Sequence, residues 1–165
     1  MLKNYLIVFF VSMLPLVELR GAIPIATAFG LMPSDNIGRI IFTYIIIIIG
    51  NMVPVPFIYL FARRFLEWGS DKKIIGKICT FFLVKGKKGG EKLMESAGNG
   101  LFVALFIFVG IPIPGTGAWT GTLAASLLNM KFKETIISVI CGVLLAGLIM
   151  LAISLGAFSA IKALF

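Results

Sequence analysis

Between Tyr5 and Met32, and again between Leu101 and Asn129, the chain runs through apolar sequence interrupted halfway by residues that an unbroken helix does not tolerate. The first interruption reads Pro15-Leu16-Val17-Glu18-Leu19-Arg20-Gly21-Ala22-Ile23-Pro24, and the second Gly110-Ile111-Pro112-Ile113-Pro114-Gly115-Thr116-Gly117-Ala118-Trp119-Thr120-Gly121. In hydrocarbon, backbone released by Pro and Gly must be shielded by protein or line a polar cavity, because no solvent satisfies it there. Matched breaks in two halves of a membrane chain point to a transporter's binding site.

Composition sets the medium. Apolar residues make up 59% of the chain and charged residues 13%, with a mean hydropathy of +1.07, far outside the range of soluble domains. Residues 40–62, 96–130 and 135–161 hold 23, 35 and 27 positions without a charge, against the roughly 20 that a spanning helix needs. The chain reads as an all-α integral membrane protein with one membrane domain, 1–165: a first repeat (1–62), a basic interfacial linker (63–100) and a second repeat (101–165).

Histidine is absent, and Cys79 and Cys141 stand far apart without ligand-like neighbours. No metal or other cofactor is expected, and both cysteines read as packing residues. Nine of the fifteen basic residues fall between Arg63 and Lys92, beside apolar segments, so positive-inside bias explains the net charge of +8 better than nucleic acid does. The expected location is the cell membrane, multi-pass, with segment 63–92 in the cytoplasm. Lys3, the run Leu6–Val17 and Ala26-Thr27-Ala28 imitate a signal peptide, but Glu18, Arg20 and Pro24 sit awkwardly before that cleavage site. Cleavage there would also remove half of an internal repeat.

Laying Gly21-Ala22 over Gly117-Ala118 aligns Ile25–Met32 with Gly121–Leu128 and, after a four-residue difference in linker length, brings Gly50 near Gly142. Each half becomes a broken segment, a short polar linker and one long helix, 40–62 in the first and 134–157 in the second. Residues 4–17 and 21–34 are each free of charge, and as helix each would span about 21 Å, short of a hydrocarbon core of about 30 Å. This favours two re-entrant hairpins entering from opposite sides as an inverted repeat, their tips meeting near the midplane. Eleven of the fifteen Lys and Arg residues then face the cytoplasm. In the competing topology both broken segments cross fully and Lys131 and Lys133 move outside.

In the linker, Ile74, Ile75, Ile78, Cys79, Phe81 and Phe82 lie opposite Lys73, Lys77 and Thr80 at helical spacing, which predicts an interfacial amphipathic helix. Lys85-Gly86-Lys87-Lys88-Gly89-Gly90 follows as a flexible basic turn near anionic headgroups.

Glu18 and Arg20 are charges at membrane depth, where a charge is paired or faces water. Two residues apart they do not face each other on a regular helix, but an unwound tip allows a mutual ion pair; the other reading gives both a direct part in transport. The returning helices are expected to begin near Ile23-Pro24, with Pro24 in a first turn, and near Ala118-Trp119. Two positive dipole ends then aim at the midplane and favour an anion. Gly115-Thr116-Gly117 lets amides approach a phosphate or carboxylate, and Arg20 offers a bidentate fork. Glu18 points the other way, as a proton carrier or a partner for a cation. Asn51 either satisfies carbonyls freed by Pro54 and Pro56 or touches substrate. The candidate substrate-binding and coupling residues are thus Glu18, Arg20, Gly21, Pro24, Asn51, Pro114, Gly115, Thr116, Gly117, Trp119 and Thr120. In the last helix Ser138, Gly142 and Ala146, then Ala152, Gly156 and Ala160, recur every four residues and permit close helix contact, within the chain or in a homodimer.

With Glu18-Leu19-Arg20-Gly21-Ala22-Ile23-Pro24 and the whole Gly110–Gly121 segment, the sequence resembles the small multi-drug export protein family over nearly its full length. More remotely, it is similar to the DedA and VTT-domain lipid translocases, whose two opposed re-entrant hairpins carry acidic, Arg and Pro-Gly signatures. Pro114-Gly115 matches such a Pro-Gly, but the arginines that flank it in that family are replaced here by Thr116 and Gly117. Three functions stay open. One is a transporter or lipid translocase for an amphiphilic, anionic, lipid-phosphate-like substrate, with proton coupling through Glu18. The second is a proton-coupled exporter of small cationic drugs, similar to the small multidrug resistance proteins, against which Arg20 beside Glu18 speaks. The third is a structural or assembly membrane protein. Without His, an activated Ser or Cys, or a carboxylate pair, the chain is not expected to be an enzyme. Membrane lipids and an amphiphilic small molecule or lipid are the expected partners.

Overall fold

Length sorts the helices into two kinds. The computed structural model describes residues 1–15, 17–72, 76–77, 79–80, 84, 100–113 and 115–164, with backbone alone at 62, 63 and 157–164, and the described residues form seven helices and no strand. Four are short: α1 (Leu2–Met13), α2 (Glu18–Ala28), α5 (Gly100–Gly110) and α6 (Ala118–Leu127). At about 1.5 Å per residue none exceeds about 18 Å, well under the hydrocarbon thickness. The others are α3 (Ile37–Met52), α4 (Pro54–Ser70) and the 33-residue α7 (Phe132–Leu164).

Helices α3 and α4 abut at Val53, where Pro54 occupies the first position of α4 and its missing N–H costs nothing. Ile37–Phe61 and Phe132–Gly156 are each 25 residues long and apolar enough to cross a membrane. The long helices expected over 40–62 and 134–157 are therefore present, the first carrying a joint. Between Pro56 and Gly69 stands neither Pro nor Gly, so α4 runs on through the first residues of the expected linker. Of the amphipathic helix expected near 74–82, Gly76, Lys77, Cys79 and Thr80 are described, as helical, with Gly76 and Cys79 buried. The remaining positions and the basic turn 85–90 lie outside the described residues.

Local chemistry fixes the ends. Asn36 Oδ1 accepts the Arg39 N–H at 3.0 Å and caps α3. Both returning helices stop in the same way, on a left-handed residue: Gly30 (φ 66°) after α2 and Asn129 (φ 54°) after α6. In each case the next N–H closes the turn, Leu31 onto the Ala26 carbonyl at 2.9 Å and Met130 onto that of Ala125 at 3.0 Å.

Helix α1 lies along α2 and α3, and α5 along α7; α2 packs on α7 and α6 on α4. Two glycines admit a neighbouring helix's backbone. A Cβ on Gly50 would stand 2.6 Å from the Phe9 carbonyl oxygen, and one on Gly142 would stand 3.0 Å from that of Phe106. Beside Gly142, Ser138 Oγ donates to the Phe102 carbonyl at 2.7 Å, and Ala146 is buried. The first half of the small-residue stripe is thus used inside the chain, against α5, whereas Gly156 has open space beside it. Ile23, Ile47, Val109, Val139 and Val143 form the core, while Phe10, Phe42, Phe57, Phe108 and Ile153 point outward, as suits a surface facing lipid rather than water.

Candidate functional site

Helix α1 ends at Met13, Leu14 is extended, and the chain turns back so that α2 starts at Glu18, whose φ of 49° lies in the left-handed region. A non-glycine residue held there costs about 1–2 kcal/mol. The turn aims the carboxylate of Glu18 at the second break, where the backbone leaves α5 at Gly110 and re-enters helix at Ala118. Glu18 Oε2 accepts the Ala118 N–H at 3.2 Å and Oε1 accepts the Trp119 N–H at 3.0 Å, and the side chain is buried. These are orphan amides at the positive end of α6, so a carboxylate suits them on both counts. Gly117 admits it: a Cβ at 117 would overlap the Glu18 carboxylate.

Arg20 crosses in the same direction. Its Nη2 donates to the Ile111 carbonyl at 3.2 Å and to Thr116 Oγ1 at 2.9 Å, and its Nη1 donates to the Ile113 carbonyl. The Thr116 hydroxyl accepts from Arg20 and lies 2.9 Å from both of those carbonyl oxygens, one of which takes its proton. In return Trp119 Nε1 donates to the Met13 carbonyl, at 3.1 Å, at the end of α1. Each break therefore supplies the partners that the other lacks, which is how irregular backbone survives where water is scarce. The mutual Glu18–Arg20 ion pair gives way to this exchange: both charges serve the opposite tip.

Around the crossing lies a cavity of about 260 Å³ lined by Pro15, Glu18, Arg20, Ile58, Gly115, Thr116, Trp119, Thr120 and Leu123. Arg20 Nε and Thr120 Oγ1 are buried without a protein partner. Its wall is chiefly apolar and carries two charges, the profile of a pocket for an amphiphile.

Six expected residues thus meet in this cavity, and Gly117 sits behind Glu18. Gly115 adopts φ 88°, which a side chain would strain. Pro24 corrects the sequence reading: α2 already begins at Glu18, so Pro24 lies inside the helix, exposed and away from the cavity, not in its first turn. The misreading has a physical origin, since the left-handed Glu18 starts the helix earlier than the Pro signal suggests. Gly21 is half-buried in α2 and faces Val17, just before its own helix, and does not line the cavity. Asn51 is fully buried on α3 with neither amide atom hydrogen-bonded, so it satisfies none of the expected carbonyls and does not line the cavity. Pro114 lies outside the described residues. Pro15, Ile111 and Ile113, which lie within the two interruptions, and Met13, Ile58 and Leu123, ordinary apolar positions without a signal in the sequence, contribute walls or carbonyls.

Fold and site together define a small helical membrane protein whose two broken segments are cross-braced by buried charge around one cavity. Over residues 18–149 the chain matches the family described as "Putative small multi-drug export protein", and it belongs to that family. Comparison with curated proteins and with solved structures finds no match.

Proposed function

We propose that the protein is a multi-pass membrane transporter that moves an amphiphilic anion of the lipid-phosphate type, without a chemical step and without a cofactor. The observation that carries this is the cap on α6: two free helix amides at a cavity wall hold a carboxylate, and that carboxylate belongs to the chain itself. An anionic headgroup has the chemistry of Glu18 and competes with it for the same two N–H groups. Protonation of Glu18 weakens its hold, frees the amides for the headgroup and leaves Arg20 as counter-charge; deprotonation on the other side restores the cap and expels the substrate. Glu18 and Arg20 are the titratable groups that line the cavity among the described residues. Arg20 Nε and Thr120 Oγ1 offer the headgroup two further unused contacts.

The architecture we infer is an inverted repeat of re-entrant hairpin and spanning helix, with the basic segment 63–92 in the cytoplasm. Its support is the exchange of partners: α1 on α3 repeats as α5 on α7, and α2 on α7 repeats as α6 on α4. Gly50 and Gly142 admit the neighbouring helix at equivalent places, and Gly30 and Asn129 end the returning legs alike. The remote resemblance to the DedA lipid translocases fits the same layout.

A second reading, export of lipophilic cations, draws on the family's name and on the Glu18 carboxylate at the cavity wall. Reconstitution in liposomes separates the two: a fluorescent lipid phosphate should be flipped, and Arg20→Ala should abolish that flipping. Efflux of tetraphenylphosphonium that needs Glu18 but is indifferent to Arg20→Ala would favour the cation instead.

A further inference from the structure

A second, larger cavity of about 400 Å³ opens beside the first along the same seam between α4 and α6. The inner cavity takes Ile58 from α4 and Leu123 from α6; the outer one takes Tyr59 and Leu60 from α4 and Ser126 from α6. Leu123 and Ser126 are three apart and so share one face of α6. The outer cavity also holds Arg64, Glu67, Asn129 and Lys131. Arg64 and Lys131 are exposed, and Lys131 Nζ lies 3.5 Å from Glu134. Arg64 and Lys131 are the cations of this lining, so an anion that enters takes Arg64 and competes with Glu134 for Lys131. It sits where Ile37–Phe61 ends and Phe132–Gly156 begins, the depth at which headgroups lie. In the wall of the outer cavity Ser126 Oγ donates to the Tyr59 carbonyl at 2.9 Å, and the Tyr59 hydroxyl donates to the Met130 carbonyl, so this pair ties α4 to the end of α6.

From this juxtaposition we infer that the outer cavity is a waiting site for the phosphate head of the amphiphile, and that the Ser126–Tyr59 hydrogen bond closes the way to the inner cavity. The inference rests on the transport reading above and gives it a route: the headgroup is collected by Arg64 and Lys131 at the membrane surface, then passes Ser126 to reach Arg20 and the α6 amides.

The test uses the full chain in a neutral detergent, with Cys79→Ser and Cys141→Ser and one reporter thiol, Leu60→Cys, in the outer cavity. Dodecyl phosphate near saturation should slow maleimide labelling about ten-fold. Arg20→Ala should keep that protection, and Arg64→Gln with Lys131→Gln should remove it. Inorganic phosphate and dodecyl maltoside should not protect. Absence of protection, or protection that survives loss of both cations, overturns the outer site, and equal protection by inorganic phosphate overturns its assignment to an amphiphile. With Arg20 in place, intact protection with no lipid-phosphate transport contradicts the transport reading alone. Transport without protection contradicts the outer site alone. For the closure, a Thr120→Cys reporter should label about five-fold faster in Ser126→Ala, the effect of one net hydrogen bond, and Ser126→Thr should restore the slow rate. An unchanged rate in Ser126→Ala, with unfolding midpoint retained, overturns the closure.

Discussion

Glu18 does for α6 what a capping Asp does for a soluble helix, but from 100 positions away in the chain. Removing it leaves the Ala118 and Trp119 amides bare in an apolar surround, so Glu18→Ala should cost about 1–2 kcal/mol, read as a lower unfolding midpoint in neutral detergent. Glu18→Gln keeps an acceptor oxygen and should fold normally while losing the pH dependence of transport; an unchanged pH profile contradicts the coupling role. Gly117→Ala should push the carboxylate off α6 and cost about 1–3 kcal/mol by overpacking, together with transport. Asn51 behaves in the opposite sense. Its buried amide lacks partners, so Asn51→Leu should leave stability unchanged or raise it by about 1–3 kcal/mol; a large loss of stability would mean that the amide has a partner after all. Much of this site is legible from residue type alone, because Glu18, Arg20, Thr116, Gly117, Trp119 and Thr120 are the polar and glycine positions of two apolar breaks. Their roles are not legible. Which amide a carboxylate caps depends on how two distant turns meet, and sequence spacing says nothing of that.

At the scale of elements, the sequence patterns find the long helices and the start of α6, and they misplace the start of α2. Pro usually marks a first turn, so Pro24 suggests a helix beginning near Ile23; the real beginning is set by the strained backbone of Glu18, which carries no propensity signal. The pairing of Gly50 with Gly142 is visible as matched punctuation, but its purpose is visible only once α1 and α5 are seen to lie against those glycines. Gly50→Val and Gly142→Val should each destabilise by about 1–3 kcal/mol through overpacking. Gly156→Ala, with open space beside it, should be neutral or stabilise by up to about 1 kcal/mol. Equal tolerance at Gly142 and Gly156 in an unfolding titration would contradict the packing of α7 on α5.

For the whole molecule, each broken segment is satisfied by the other, so neither half is a complete membrane domain by itself. The inverted repeat proposed above makes a topological prediction: in a chain without native cysteines, Ser34→Cys and Asn129→Cys should be labelled by an impermeant reagent from opposite faces of the membrane. Labelling of both from one face would instead support full crossing of the broken segments. The central claim, that a substrate anion takes the place of Glu18 on α6, is tested most directly at the two amides themselves. With ¹⁵N-labelled protein in neutral detergent, dodecyl phosphate should shift the Ala118 and Trp119 amide resonances towards a new bound position, with Glu18→Gln shifting more readily and tetraphenylphosphonium leaving both in place. Resonances that ignore the phosphate but move with the cation would contradict it.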